Sequence, residues 1–169
     1  MKETTIIPSN TSLLQSTKYS FILPTLPFLK YFSQTANIPG VSTSSVAVAN
    51  PFSDTHRHGN NLRYDSLSVN AIIDEDIKVW EETYNWLKSL TRPTDYAEYV
   101  KYYNNNKTPY HDGVLTINSN SNNPKIRIKY KNCHPVSLGG ISFNTADSAD
   151  TTLTAEIQFR YDTFYIERM

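Results

Sequence analysis

The sequence predicts a mainly β (α+β) fold: an antiparallel β-sandwich or barrel-like domain with one main helix, about residues 74–91, on its flank. Apolar and polar residues alternate at period two in several short segments, which is typical of strands with one buried face. Most loops between these segments are short, as antiparallel neighbours allow. A period of three to four residues dominates one long segment, and it indicates the helix.

The length of the chain favours a single domain, because 169 residues are enough to bury one core. Residues 1–17 are polar and are predicted to form a flexible N-terminal arm. Residues 18–169 are predicted to form one domain with a long loop at 50–61. The single cysteine, Cys133, excludes an intramolecular disulfide.

The net charge and the hydropathy of the chain limit the kinds of partner that it is expected to bind. The formal net charge is zero, so nothing indicates tight, non-specific binding to nucleic acid. No membrane anchor is expected, because no apolar run is long enough to span a bilayer. The first ten residues lack the apolar core of a secretory signal, which predicts a soluble product made in the cytoplasm.

The first third of the chain combines short strands with turns. Tyr19 to Leu23 is predicted to be a strand, and two closely spaced prolines confine the next piece to a sheet edge or a bulge. Ile38-Pro39-Gly40 marks a turn, and Val41 to Ala49 favours a strand with an exposed face. Residues 50–61 follow without any period, and a loop of that length is usually functional or disordered.

A strand and the main helix follow one another at the centre of the chain. Residues 67–73 alternate at period two, and the period then changes to three and four in the row Ile77, Trp80, Tyr84 and Leu87. Asp74 or Asp76 is expected to cap the helix, which Pro93 ends by Arg92. The buried face of this helix, with Trp80 and Leu87, is predicted to pack on the sheet that contains Val69 and Ile73.

The last part of the chain predicts further antiparallel strands. Residues 93–112 are rich in tyrosine and asparagine and are predicted to hold one helical turn near Tyr96–Tyr102. Strands are expected at Val114–Ile117, at 125–131 after a hairpin loop, and at 152–161, which makes about six or seven strands in all. The side chains predicted to lie in the core are Trp80, Leu87, Ile126, Ile128 and Phe159.

Three sets of polar residues are candidates for a catalytic or metal site, but a structural role is the better interpretation of each set. Asp54, His56, Arg57 and His58 are placed in the long loop, where two histidines have no fixed geometry for a metal. Asp74-Glu75-Asp76 stands at a helix start, which suits its charge. Cys133 and His134 are adjacent in an extended segment and therefore point to opposite faces. No catalytic residue, cofactor or metal is predicted, and an enzyme is not expected.

The most distinctive charge feature is a row of four cations on one side of a predicted strand. This basic ridge consists of Lys125, Arg127, Lys129 and Lys131. It suits phosphates or an acidic protein surface, and it also suits a solvated strand face that discourages edge pairing. The residues alone leave these alternatives open.

The order of several segments resembles a known family. Ile38-Pro39-Gly40-Val41 precedes RYDSLSV at 63–69, and the acidic residues 74–76 and Trp80 follow. HPVSL at 134–138 and FRYDTFYI at 159–166 come last. Over roughly residues 19–167, this order resembles the tail-tube family of contractile-tailed bacteriophages, which includes tube subunits and the related tube-initiator rings of the baseplate.

The resemblance implies a structural virion protein of the phage tail, made in the host cytoplasm. Homo-hexameric rings would stack into a tube, with sheath and baseplate proteins as partners and DNA passing transiently through the lumen. Polar strand faces would line that lumen, and the residues predicted to contact subunits or sheath are Asp54, His56, Arg57, His58, Lys125, Arg127, Lys129 and Lys131. The alternative is a soluble, non-catalytic module that binds protein or carbohydrate through its tyrosine-rich segment.

Overall fold

The computed structural model describes residues 11–91, 108–148 and 150–169, together with Ala97 and Val100. The strands are β1 (Tyr19–Ile22), β2 (Ser33–Ala36), β3 (Val41–Val48), β4 (Thr55–Tyr64), β5 (Leu67–Ile72), β6 (His111–Asn118), β7 (Pro124–Leu138), β8 (Thr154–Arg160) and β9 (Thr163–Arg168). The helices are α1 (Leu29–Phe32) and α2 (Lys78–Leu90). More than half of the predicted N-terminal arm, residues 1–10, lies outside the described residues. The predicted helical turn near Tyr96–Tyr102 also lies outside them, apart from Ala97 and Val100.

The predicted fold class is confirmed. Seven strands form one antiparallel sheet in the order β1-β6-β7-β8-β5-β2, with β9 also paired to β7. The first part of β7 pairs with β6 and β9, and its last part pairs with β8. The sheet thus forms two layers that share β7, and in the part of the chain described it does not close into a barrel.

The change of partner along β7 occurs at Asn132, which adopts a left-handed conformation with φ of 54°. Asparagine tolerates this conformation better than most residues. The backbone N–H of Asn132 donates to Asp112 Oδ1 at 3.2 Å, and its side-chain Nδ2 donates to Asp162 Oδ2 at 2.5 Å. These bonds hold the bend, and the 15-residue strand therefore takes part in both layers.

The core lies between the two layers. Phe21, Leu115 and Ile128 come from one layer and pack towards Val69 and Phe159 of the other. The rings of Phe21 and Phe159 have centroids 6.2 Å apart, which joins the layers directly. Of the residues expected in the core, Ile128 and Phe159 are buried, while Ile126 is partly buried against the core.

Helix α2 begins later than expected, and the predicted cap is wrong. The helix starts at Lys78, and the residue before it, Ile77, has φ of 57°. No side chain caps the first turn, so neither Asp74 nor Asp76 has that role. The N–H of Ile77 instead donates to the carbonyl oxygen of Asp74 at 3.0 Å, which makes residues 74–77 a tight turn.

The predicted buried face of α2 is also wrong in register. Trp80 and Leu87 are only partly buried, Ile77 and Tyr84 are exposed, and the buried residues are Val79, Thr83, Trp86 and Ser89. The hydroxyl groups of Thr83 and Ser89 donate to carbonyl oxygens of their own helix, at 2.8 and 2.6 Å. Because both hydroxyl groups have hydrogen-bond partners, these two polar residues can lie in the core. The row of apolar residues at spacings of three and four therefore did not identify the buried face of the helix.

The segment predicted as a loop at 50–61 is mostly strand. Strand β4 begins at Thr55 and pairs with β3 along its length, so only residues 49–54 connect the two strands. These strands form a separate two-stranded sheet, called here the β3–β4 arm. Because most of their side chains are exposed, no face of the arm has the regular apolar period that predicts a strand.

Candidate subunit interfaces

The β3–β4 arm exposes apolar side chains along a two-stranded ribbon. Every residue of β3 is exposed, including Val46 at 56% and Val48. At the connection, Phe52 is 100% exposed. Ala47 and Leu62 add further exposed apolar surface. Isolated apolar side chains are common on protein surfaces, but a ribbon without a core of its own usually needs a partner to cover it.

The register of the arm gives its histidines a fixed geometry, which the sequence did not predict. Val46 lies opposite Arg57 and Val48 opposite Thr55, so these four share one face. His56 and His58 point to the other face, opposite Ala47 and Ser45. Asp54 lies in the connection before β4. The four residues predicted as one contact are therefore divided between the two faces and the tip.

Throughout the described ranges, no group of three or more His, Cys, Asp or Glu side chains is arranged to hold a metal ion. The same part of the chain contains no helix that combines the length and the apolar character of a membrane span.

The basic ridge lies on the outer face of β7, with Ile128 and Tyr130 buried on the opposite face. Because β7 runs between β6 and β9 here, the ridge does not protect a sheet edge. Lys129 Nζ lies 2.7 Å from Glu167 Oε1, and Lys131 forms an ion pair with Asp112. Two of the four cations are thus paired with carboxylates of the same chain.

The pairing of Lys131 with Asp112 shifts the pKa values of both side chains. The hydrogen bond from Lys131 is the main cause that lowers the pKa of Asp112. The same bond raises the pKa of Lys131. Asp112 also accepts from the backbone of Asn132, so this carboxylate links the ridge to the bend in β7.

The other end of the ridge lacks such ion pairs within the described residues, although Glu167, the partner of Lys129, lies opposite Arg127 on β9. Among the described residues, no acidic side chain forms an ion pair with Lys125 or Arg127. Lys18 lies at the same end, where its Nζ donates to the carbonyl oxygen of Asn120 in the β6–β7 connection. We call these three cations the basic end of β7.

The outer face of β5 and β8 is polar and internally hydrogen-bonded. Ser68 Oγ donates to Glu156 Oε1 at 2.6 Å, and Gln158 Nε2 donates to the same oxygen at 3.1 Å. These two bonds, the first of them the larger cause, lower the pKa of Glu156. Arg160 Nη1 donates to the carbonyl oxygen of Tyr64 at 3.2 Å. The face offers polar groups to water while most of them already have partners.

Cys133 and His134 do not form a catalytic pair. Cys133 is buried, and this burial raises the pKa of its thiol to about 12, which keeps it protonated. His134 points the other way, with its ring 5.1 Å from that of Tyr110 and Nδ1 3.2 Å from the carbonyl oxygen of Asn132. Both positions are structural.

The comparison with protein families decides the identity. The family model described as phage tail tube protein matches residues 8–167. The chain belongs to the phage tail tube protein family. Members of this family have a structural role in the tail, and the resemblance inferred from the order of segments is confirmed. No curated protein sequence matches this tail tube protein.

Solved structures with the same fold come from contractile injection systems. The tube-terminating cap of the anti-feeding prophage matches with a TM-score of 0.66 and 10% identity over 100% of both chains. A chain of that particle's baseplate matches with a TM-score of 0.61 and 9% identity, covering 94% of this chain and 98% of the other. A chain from the sheath-tube complex of an extracellular contractile injection system has a TM-score of 0.59 and 10% identity, with 94% of each chain covered.

The sequence missed the apolar part of the arm. Val46, Val48 and Phe52 were not among the predicted contact residues, although they flank the polar residues that were. A signal was present, because two segments rich in β-branched or polar residues surround a short Asn-Pro connection. That arrangement favours a hairpin, but a hairpin exposed on both faces lacks the alternation that would have identified it.

Proposed function

We propose that this tail tube protein is a non-enzymatic structural subunit that assembles with copies of itself into hexameric rings. The rings stack into the inner tube of the tail, or close one end of it. DNA passes through the lumen without being held. The observation that carries the proposal is the β3–β4 arm, an exposed two-stranded ribbon with uncovered apolar side chains in a chain of the tail tube family.

The arm is proposed as a contact between subunits because its own stability is marginal. A two-stranded hairpin in water is at best marginally stable. In the described part of this chain, the two strands of the arm pair with each other and with no third strand. Docking on a neighbour would cover Val46, Val48 and Phe52, and Arg57 on the same face would add a charged contact. His56 and His58 would meet the partner on the other face, with Asp54 at the tip.

The outer face of β5 and β8 is proposed to line the lumen. DNA that moves through a tube must not bind each subunit, because every cation–phosphate contact would add to its retention. Ser68, Asn70 and Gln158 are neutral, and Glu156 carries the charge of the phosphates themselves. The cationic Arg160 on this face already donates to the carbonyl oxygen of Tyr64. The ridge, in which Lys125 and Arg127 form no ion pair with a described residue, is proposed to lie away from the lumen and to contact protein.

Sheath and baseplate proteins are proposed as the other partners. The structures with the same fold are a terminating cap, a baseplate chain and a chain of a sheath-tube complex. One fold therefore occurs at the end of a tube and along it, and the proposal includes both positions. The outer side of the tube, including α2, remains available to these partners.

The arm provides the test. Replacing residues 46–57 with Asn-Gly joins Ser45 to His58, which lie opposite each other, through a two-residue turn. We expect this variant to keep the circular dichroism and the unfolding midpoint of the wild type but to lose the larger assemblies seen by sedimentation velocity. Thr145→Ala, an exposed change outside the arm, is the matched control and should assemble normally.

Two results would contradict the role of the arm. The first is a shortened variant that forms the same assemblies as the wild type at the same concentrations. The second is stoichiometric zinc binding to the intact protein that disappears in the His56→Ala and His58→Ala variants. That second result would make the arm a metal site and not a contact between subunits.

A further inference from the structure

The turn between β5 and α2 concentrates negative charge. Asp74, Glu75, Asp76, Glu81 and Glu82 lie within nine residues. The ammonium of Lys78 pairs with Asp76 at 2.5 Å. Burial is the first cause that raises the pKa of Glu82, and the charges of Asp74 and Glu81 raise it further. We call this group the acidic turn.

Two carboxylate oxygens of the acidic turn are buried without a hydrogen bond to any described residue. They are Oδ1 of Asp74 and Oε2 of Glu82. Buried acceptors without a donor destabilise a structure. The acidic turn is therefore a surface on which an added cationic donor would be favourable.

An open pocket lies beside Asp74, while Glu82 is not part of its lining. It has a volume of about 300 Å³, and its lining includes Asp74 and Glu75 together with Ile73, Ile77 and Phe143. Phe143 is 75% exposed, so the pocket combines apolar walls with acidic groups. This combination matches a lysine or arginine side chain, which has an apolar stem and a cationic head.

The basic end lies at the opposite end of β7. Leu138 pairs with Ile157, and β8 continues to Thr154, which pairs with Ile72 just before the acidic turn. Lys125 is 13 residues from Leu138, a distance of up to about 43 Å along a straight strand. The bend at Asn132 shortens this distance but leaves the two charged groups at the two ends of the strand.

Within the described residues, no ion pair joins the basic end to the acidic turn, so their complementary charges are available for a contact between subunits. We propose that the basic end of one copy, through Lys125 and Arg127, binds the acidic turn of a second copy. The contact is head-to-tail, and a head-to-tail contact closes into a ring or continues as a filament. This inference rests on the proposed function and names the surfaces through which copies of this chain associate.

A second copy is the occupant favoured by the charges. The chain is neutral overall, so an ion-pair contact between unlike ends does not accumulate charge as copies are added. Complementary ends also exclude the reverse orientation, because like charges placed against each other cost several kcal/mol. Phosphates of nucleic acid are the other chemistry that Lys125 and Arg127 fit, and the experiment distinguishes the two.

Charge reversal at one exposed residue on each surface tests the contact. Lys125→Glu and Glu75→Lys are made separately and together in the full chain, because both side chains are exposed. Lys30→Glu, an exposed reversal on α1, controls for the change in net charge. Sedimentation velocity gives the concentration at half-assembly, and fluorescence anisotropy measures binding of a labelled DNA duplex.

We expect each single reversal to raise the concentration at half-assembly by about tenfold or more at low salt. The combined variant should return to within about threefold of the wild type, while Lys30→Glu should not change the value. Assembly of the wild type should weaken as salt is added. Unfolding midpoints of all variants should stay close to that of the wild type.

Three outcomes overturn the inference. If the reversals leave assembly unchanged while the wild type assembles, the contact is wrong and the proposed function stands. If Lys125→Glu weakens duplex binding but not assembly, the basic end binds phosphate instead. If the wild type does not associate at any concentration, both this contact and the proposed function fail.

Discussion

The two tryptophans of α2 have different environments although they lie only six residues apart. Trp86 is buried, with its ring centroid 6.4 Å from Phe159 and 5.6 Å from His111. Its Nε1 donates to the carbonyl oxygen of Pro109 at 3.2 Å. Trp80 is partly exposed, stacks on Tyr84 at 5.5 Å and donates to the carbonyl oxygen of Gly139 at 3.1 Å.

This difference predicts unequal effects on stability. Trp86→Ala should lower the free energy of unfolding by about 3–5 kcal/mol, since it leaves a large cavity in the core. Trp80→Ala should cost only about 1–2 kcal/mol, because the side chain is already partly exposed to water. Urea unfolding followed by circular dichroism measures both values. Equal losses, or a larger loss for Trp80→Ala, would show that the buried face of α2 has been assigned incorrectly.

The direction of a side chain was predictable from the sequence where apolar and polar residues alternate along a strand. The ridge faces outward and Ile128 faces inward because neighbouring strand residues point to opposite sides. The ion pairs of Lys129 and Lys131 were not predictable. Their carboxylates, Glu167 and Asp112, lie 38 and 19 residues away and come close only through the pairing of β7 with β9 and β6.

At the scale of elements, the start of α2 shows how backbone conformation can replace a cap. Ile77 occupies the left-handed region, with φ of 57°, which is rare for a β-branched residue. The acidic residues before it suited a capping role by type, but the turn of 74–77 directs the chain into the helix without using their side chains. Sequence alone identified the helix but not this turn.

Ile77→Gly should stabilise the subunit. The left-handed conformation costs a residue with a Cβ about 1–2 kcal/mol, and glycine removes that strain. The greater freedom of glycine in the unfolded chain offsets about 0.5–1 kcal/mol, so a net gain of up to about 1 kcal/mol is expected. A thermal unfolding scan measures it, and Val79→Gly, within the helix, is the contrasting variant that should be clearly destabilised. A lower thermal unfolding midpoint for Ile77→Gly would contradict the inference that the backbone of Ile77 is strained.

At the scale of the whole molecule, the fold class followed from the sequence because alternating strands and one helical segment are local signals. The continuity of β7 through both layers could not be predicted from the sequence. The alternation in its first half ends near Lys131, and the bend at Asn132 depends on Asp112 and Asp162 from distant strands. The first strand of the β3–β4 arm was predicted at Val41 to Ala49 and is confirmed as β3. Its second strand, β4, was missed because it buries no face within the subunit and therefore carries no apolar period.

The central claim is that this subunit assembles with copies of itself into a tube, and negative-stain electron microscopy of the purified full chain over a range of concentrations tests it most directly. The account predicts six-fold rings with a central opening that stack into tubes as concentration rises. Small, compact particles of one subunit at every concentration and salt condition would contradict it.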